Sequence, residues 1–379
     1  MKHLIGAGHV AERIINSSPK GEFKLYDNNE DLQGTSIFGI KINPVKILSC
    51  ETHGEIVICT TSVGEIINQI SDLDTRLNYT VADEVSEFLS VYTLSNFNCS
   101  FLLASGLPSN NMHMASGGLY KVTLEQECID IKKILESPCH GIKKKEEGGY
   151  FVTDQHRGVV EYNGDLEEVK IYTLPQGLRP HGITCNQDYI FVVCSNDDSI
   201  AKISRTTGEI DFLRFSDKKE EFGAAQHHAN DIEIHGKHIY VSMFSVTGNW
   251  KKGVYDGGLP EININTGSIN IILNDLRLPH SVRLINEKLT VLNSYDSMFY
   301  SWGVYPEYRF NGFLRGVECF NQYLFFAESR NRNSTGLIQK NTPATIDSKI
   351  NIVDTSSGYA KTIMLPPSIS EIHSICLIT

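Results

Sequence analysis

Pro180-His181-Gly182-Ile183 is a short phrase that returns along the chain with variation. Its other copies are Cys139-His140-Gly141-Ile142, Ala229-Asn230-Asp231-Ile232, Pro279-His280-Ser281-Val282, Leu314-Arg315-Gly316-Val317 and Ile372-His373-Ser374-Ile375. Each places a polar residue and a small one at the head of an apolar run. In the first five copies along the chain, the residue fourteen places after the polar one ends a second apolar run: Asp154, Ser195, Phe244, Ser294 and Ser329. The polar residues lie 41, 49, 50, 35 and 58 positions apart, with turn signals such as Thr206-Thr207-Gly208 and Asn265-Thr266-Gly267 between strand-like runs. That is the period and texture of propeller blades.

The sixth copy leaves chain for only one strand before Thr379. Strand-like runs without a blade of their own lie upstream, at Cys99 to Ser105, Gly118 to Val122 and Ile129 to Leu135. Residues 98–135 and 372–379 are therefore expected to build one blade jointly. Such closure completes a six-bladed ring and removes free sheet edges.

Residues 1–93 read differently. A short apolar strand precedes Gly6-Ala7-Gly8-His9-Val10-Ala11, a helical pattern with Val10, Ile14 and Ile15 follows, and Phe23-Lys24-Leu25-Tyr26-Asp27 is a second strand ending in an acid. This is the order of a nucleotide-binding fingerprint. Gly6 permits the turn, Gly8 lets a phosphate reach the helix N-terminus, and Asp27 would accept from a ribose hydroxyl. The alternative is that the glycines serve helix–strand packing alone. Glu55 to Thr60 and Val63 to Ile70 add a strand and a helix, joined to the first part by a short segment around Ile37–Ile42. The expected architecture is a small Rossmann-like parallel-sheet domain (1–93) followed by a six-bladed β-propeller (94–379) closed by its C-terminal strand, α/β plus all-β.

Composition bounds the function. A net charge of −11 argues against a nucleic-acid binder, which needs a basic face. No apolar run has bilayer-spanning length, and no leader is read at Met1 to Gly6. Nine cysteines, mostly inside apolar runs and without a Cys-x-x-Cys pair, suit reduced thiols in the cytoplasm. Neither a P-loop, a serine nucleophile elbow nor a zinc-protease helix is present.

Two resemblances sharpen this. Tyr26-Asp27-Asn28-Asn29, Gly34, Phe38-Gly39-Ile40 and Pro44, after the Gly-rich turn, resemble the small N-terminal domains of bacterial sugar O- and N-acyltransferases. The resemblance implies a nucleotide or nucleotide-sugar ligand at Gly6, Gly8, His9, Asp27 and Asn28, and a setting in surface-polysaccharide metabolism. The hexapeptide repeats that carry acyl transfer in that family are missing here. Gly312-Phe313-Leu314-Arg315-Gly316, Ala327-Glu328-Ser329-Arg330-Asn331-Arg332 and His228-Ala229-Asn230-Asp231-Ile232 resemble a bacterial propeller-like family of unknown function, over residues 98–379. That likeness implies the fold and no reaction.

In a propeller the innermost strand of each blade lines the axis, so His140, His181, Asn230, His280, Arg315 and His373 are expected to converge on one mouth. Three readings stand side by side. Imidazoles such as His140, His181 and His280 would hold a divalent metal, with Asp231 or Glu328 near enough in phase to complete a site. Alternatively, His140, His181, His280 or His373 acts as acid or base while Arg315 or Arg330 holds a carboxylate or phosphate, with Asn230, Asp231 and Glu328 as substrate contacts. The third reading is a hydrogen-bonded ring with no ligand. His227 and His228, being adjacent, are expected to face opposite ways. Asp154-Gln155-His156-Arg157 is expected in a solvated strand-end loop, and Lys143-Lys144-Lys145-Glu146-Glu147 in a solvated hairpin. Trp250, Tyr255 and Trp302 would stack a sugar or cover the propeller face.

The expectation is a cytoplasmic enzyme of surface-polysaccharide or nucleotide-sugar metabolism, of lyase, epimerase or hydrolase type, with a small-molecule sugar or nucleotide-sugar as partner and neither nucleic acid nor membrane. Its rival is a non-catalytic propeller that binds a glycan intermediate or a partner protein.

Overall fold

The computed structural model describes residues 1–50, 54–73, 77–107, 115–125, 128–301, 307–330 and 347–378. The chain forms two compact units, Met1–Asn96 and Phe97–Thr379. Trp302, Asn331 and Arg332 lie outside the described residues.

The first unit runs β1 (Lys2–Ile5), α1 (His9–Ser17), β2 (Phe23–Tyr26), β3 (Ser36–Ile37), β4 (Ile40–Asn43), β5 (Glu55–Ile58), α2 (Val63–Leu73), β6 (Tyr79–Val81) and α3 (Asp83–Ser95). Its sheet has the order β3-β4-β2-β1-β5-β6. All pairings are parallel except the β3–β4 hairpin. Successive side chains of a strand point to opposite faces. Leu4, Leu25 and Val57 therefore pack on one side with Ala11 and Ile15, while Ile5, Tyr26 and Ile58 pack on the other with Ile66 and Ile70. The segment read as a plain connection around residues 37–42 is instead the hairpin, whose second strand joins β2. The sheet is mixed and small, and β6 and α3 extend it beyond the sequence reading.

The second unit is a six-bladed propeller of four-stranded antiparallel sheets. Numbered along the chain, blades 1 to 6 have innermost strands Cys139–Lys144, Pro180–Cys185, Ala229–His235, His280–Ile285, Phe313–Phe320 and Ile372–Ile378. These six lie side by side around one axis, the last against the first. Blade 6 joins the C-terminal strand to Cys99–Ser105, Gly118–Glu125 and Cys128–Leu135. Large apolar side chains such as Phe151, Phe191, Phe299, Phe325 and Phe326 are fully buried in the blades. Among the described residues no helix is long and apolar enough to cross a membrane, and the described cysteines are unpaired.

Every inner strand carries a register shift at the same place: between Cys139 and Ile142, Pro180 and Ile183, Ala229 and Ile232, His280 and Arg283, Leu314 and Val317, and Ile372 and Ser374. Each is a one-residue bulge, a device that bends the strand and re-aims a side chain. The small residue of the repeated phrase follows from the packing. A Cβ on Gly141 would sit 2.6 Å from the His181 carbonyl oxygen, and one on Gly182 would sit 2.5 Å from the Asp231 Cα. The second strand ends at the fourteen-residue mark in blades 1 and 5, and one residue short of it in blades 2, 3 and 4. There Ser195, Phe244 and Ser294 begin the turn.

Candidate functional site

The bulges bring His140, His181, Arg315 and His373 together at the blade 1, 2, 5 and 6 side of one mouth. The His140 and His181 rings stack with centroids 4.2 Å apart, and His373 stands edge-on to them at 4.5 and 5.6 Å. All three are 5 % exposed or less. Arg315 Nη1 lies 3.4 Å from His373 Nε2 and 3.7 Å from Glu371 Oε2, and that carboxylate is 3.6 Å from the same imidazole nitrogen. Gly106 closes over the group, where a Cβ would come within 2.5 Å of His373 Nε2. His181 Nε2 has no hydrogen-bond partner among the described residues.

These surroundings fix protonation. Burial pushes the His181 imidazole well below its usual pKa, and the neighbouring His140 and Arg179 push in the same direction. Burial does the same at His373, seconded by the Arg315 guanidinium. Both rings are held neutral at pH 7.

The other ring positions make hydrogen bonds within the scaffold. His280 Nδ1 bonds the Leu278 carbonyl oxygen and Ser294 Oγ, both at 2.9 Å, and its ring touches Phe244 and Phe313. Asn230 donates to the carbonyl oxygens of His228 and Pro279. Asp231 accepts the Ser281 N–H at 2.7 Å, a link between blades 3 and 4. Burial raises its pKa, against the pull of Arg283. Glu328 bonds Asn351 and sits 3.5 Å from Lys349, its carboxyl pushed up by burial. Arg330 is tied through its N–H to the Ser370 carbonyl oxygen. Among the described residues no group of three or more His, Cys, Asp or Glu side chains is arranged to hold a metal ion.

Two further layers escaped the sequence reading. Three residues beyond the ring positions come Lys143, Thr184, Glu233, Arg283, Glu318 and Cys376, the next inward layer. Lys143 Nζ meets Glu233 Oε1 at 2.8 Å, and Thr184 donates to the same oxygen at 2.9 Å. Burial opposes the Glu233 charge, yet Lys143 and Arg283 outweigh it and its pKa falls. The layer sets the cations Lys143 and Arg283 beside the carboxyls Glu233 and Glu318. Two residues before the ring positions lie Arg179, His228, Leu278, Phe313 and Glu371. His228 rests 4.2 Å from the Trp250 ring and 4.4 Å from that of Phe244. Phe244, Leu278, Tyr295, Phe313 and Trp250 form an apolar cluster. The mouth thus has an acid/base half and an aromatic half. A phase count applied three residues later and two earlier would have found both layers.

The remaining expectations resolve locally. His227 and His228 do face opposite ways, His227 bonding Ser216 Oγ and the Ser245 carbonyl oxygen. Asp154 is not in a solvated loop: it is fully buried and accepts from Ser137, His156 N and Arg157 Nε. The lysine-rich hairpin is solvated at Lys144, Glu146 and Glu147, but Lys145 is buried against Glu161 and Lys143 points inward. The physical reason is strand alternation, which turns every second residue of a surface run toward the core. Tyr255 is exposed.

In the first unit, Gly6 takes φ +101° and its Cβ position is 2.9 Å from the Thr60 Cβ, so packing demands glycine there. Gly8 is different: its backbone is extended and a Cβ would meet nothing within 4 Å. Asp27 Oδ2 accepts from Ala7 N at 2.7 Å and Oδ1 from Asn29 N at 2.8 Å. Asn28 pairs with Gln69, and exposed His9 lies 3.8 Å from Glu12.

Solved structures share the propeller. A nidogen/laminin complex matches with TM-score 0.52 and 13 % identity, over 74 % of this chain and 98 % of that one. Virginiamycin B lyase from Staphylococcus aureus matches with TM-score 0.46 and 13 % identity, over 74 % and 93 %. Regucalcin from Agrobacterium tumefaciens, a calcium-binding protein, matches with TM-score 0.44 and 10 % identity, over 62 % and 76 %. At such identities the likeness is one of fold. No curated protein matches the sequence. The family model described as a domain of unknown function, DUF4915, matches residues 168–379, more than half of the chain, and the protein belongs to that family.

Proposed function

We propose that the protein is a cytoplasmic enzyme of surface-polysaccharide or nucleotide-sugar metabolism that moves a proton on a small acidic sugar, as a lyase or epimerase, at the mouth formed by blades 1, 2, 5 and 6. The observation that carries this reading is the Nε2 of buried His181, which has no hydrogen-bond partner among the described residues, within a contact set of three imidazoles. A neutral imidazole is in the form a general base needs, and the carbon next to a carboxylate is a carbon acid that gives a proton up to a positioned base. Arg315 supplies charge to the carboxylate as electron density moves onto its oxygens. The base removes the proton from that carbon. Departure of the neighbouring C–O substituent with its bonding pair then gives an alkene, whereas return of the proton on the other face gives the epimer. Phe244 and Trp250 offer faces for the sugar's C–H groups.

The first unit is the place for a nucleotide in this reading. The open space above Gly8, at the N-terminus of α1, suits a phosphate, and the resemblance to sugar acyltransferase domains supplies the context.

Glucuronate, galacturonate and their uridine-diphosphate forms, incubated with the full chain in D2O, test the reading by proton NMR at C5. The expected result is exchange at C5 that His181→Asn and His373→Asn abolish. Binding of these sugars without exchange in any of them would favour the non-catalytic glycan-binding propeller.

A further inference from the structure

His280 stands on the side of the mouth away from the stacked imidazoles. The inner strands follow one another around the axis in blade order, the last meeting the first, so blade 4 lies opposite blade 1. His280 heads the inner strand of blade 4 as His140 does that of blade 1, across the axis from it. Its ring stands near-perpendicular to Phe244 at 5.4 Å and to Phe313 at 5.5 Å, one from each neighbouring blade. Like His181 it is almost fully buried.

The hydrogen bonds of this ring fix which nitrogen holds the proton. Nδ1 lies 2.9 Å from the Leu278 carbonyl oxygen and 2.9 Å from Ser294 Oγ. A carbonyl oxygen only accepts, so at that distance Nδ1 carries the hydrogen and Ser294 accepts beside it. Nε2 is then the basic nitrogen, and the Nδ1–H bond persists whether or not Nε2 takes a second proton. A third group that orients an imidazole through its other nitrogen is the arrangement of a positioned acid or base. Burial leads the causes that hold His181 and His373 neutral, and a charge on His280 is among the further ones. Imidazoles that repel one another's charge share one proton between them, the condition for an acid and a base to serve one carbon.

We propose that His280 is the second acid–base residue of the mouth, acting through Nε2 on the face of the carbon acid opposite His181, so that the reaction is an epimerisation. This rests on the proposed reading of the central mouth and chooses between its two outcomes. His181 takes the proton from the carbon as the C–H bonding pair moves into the carboxylate. The imidazolium of His280 then gives its own proton to the same carbon from the other face, and the pair returns to form the new C–H bond. One C–H bond breaks, one forms, and no leaving group departs. Because acceptor and donor are different residues, the hydrogen that arrives is drawn from solvent.

The test follows C5 of glucuronate, galacturonate and their uridine-diphosphate forms by proton NMR in D2O, with the full chain as wild type and as His280→Asn. The asparagine amide can donate to Leu278 in place of Nδ1 and offers nothing in place of Nε2. Support is a C5 epimer that carries deuterium while the recovered substrate keeps its hydrogen in the earliest turnovers. In the variant, epimer formation falls about a hundredfold or more, the span of a lost general acid. Deuterium enters the substrate instead, because the intermediate has no donor on the other face and is reprotonated from the His181 side. Epimer formed by the variant at the wild-type rate would overturn the assignment. An unsaturated product, or exchange into wild-type substrate without epimer, would overturn it and leave the central reading standing. Loss of exchange as well as epimer in a variant with the wild-type urea midpoint would overturn the division of roles. If the variant unfolds, the wild-type isotope pattern decides alone, and deuterium in substrate ahead of product overturns the two-sided arrangement. Neither exchange, epimer nor unsaturated product from any of these sugars would overturn it together with the central reading.

Discussion

Gly6 and Gly8 stand two residues apart and answer to different demands. Gly6→Ala would force a left-handed φ on a residue with a Cβ and drive that atom into Thr60. The expected loss is about 1–3 kcal/mol, read as a lower urea midpoint. Gly8→Ala meets neither obstacle. It should leave the melting temperature unchanged and weaken uridine-diphosphate binding, measured by calorimetry on the full chain. Asp27 was legible as an acid at the end of β2, but its bond to Ala7 N was not, because it depends on how the turn folds back. The histidines carry a pH prediction. His181 and His373 are depressed below their usual pKa of 6.5. The unfolded chain then binds protons that the folded chain refuses, so their stabilising share is complete above about pH 6.5 and drains away as pH falls below it. Melting temperature should fall from about pH 7 to about pH 5, by at most about 1.4 kcal/mol of stability per pH unit per histidine, and His181→Asn should flatten the slope. A metal at His140, His181 and His280 would need the stacked pair to re-orient, whereas His280, bonded through Nδ1, keeps Nε2 for a ligand. Elemental analysis beside the triple alanine variant decides: C5 exchange with no stoichiometric metal is the expected outcome, and a stoichiometric metal lost in the variant would reverse it.

At the scale of the element, the bulge is the unit of design. One extra residue in each inner strand turns the ring position inward and lays the next residue against the neighbouring blade. Gly182→Ala places a methyl 2.5 Å from the Asp231 Cα and 2.7 Å from the Asn230 carbonyl oxygen, so blades 2 and 3 must separate. A loss of about 1–3 kcal/mol or more in urea unfolding is expected. The charged layer below makes a second prediction. Arg283 is half-buried, with Asp231, Glu233 and Glu318 as its nearest acidic neighbours. Arg283→Met would leave those carboxyls with less compensating charge at a cost of about 1–3 kcal/mol, visible in the same assay. The polar–small phrase was legible because the repeat prints it six times, and the second strand because it follows five of them. The bulge was not, since register is a property of two strands and a sequence lists only one at a time.

For the molecule as a whole, closure decides stability. Ile372–Ile378 is at once the inner strand of blade 6 and the neighbour of the inner strands of blades 1 and 5. Deleting residues 372–379 would expose the edge of Cys99–Ser105 and open the ring. The expected result is loss of cooperative unfolding and of near-ultraviolet circular dichroism, and a sharp transition retained in the truncated chain would refute it. This joining of the chain's end to residues 99–135 could be read from the sequence, because one orphan strand and three unassigned strands admit a single pairing. The sequence by itself therefore determined the blade count, the closure and the phase of the ring positions, all consequences of periodicity along one chain. Which of those residues meet belonged to the tertiary structure. His140, His181 and His373 converge with Arg315 and Glu371, while His280 and Asn230, in the same phase, are claimed by Ser294 and by backbone carbonyls. The reason is physical: phase fixes the direction of a side chain, but its partners are set by distances between segments that the sequence holds far apart.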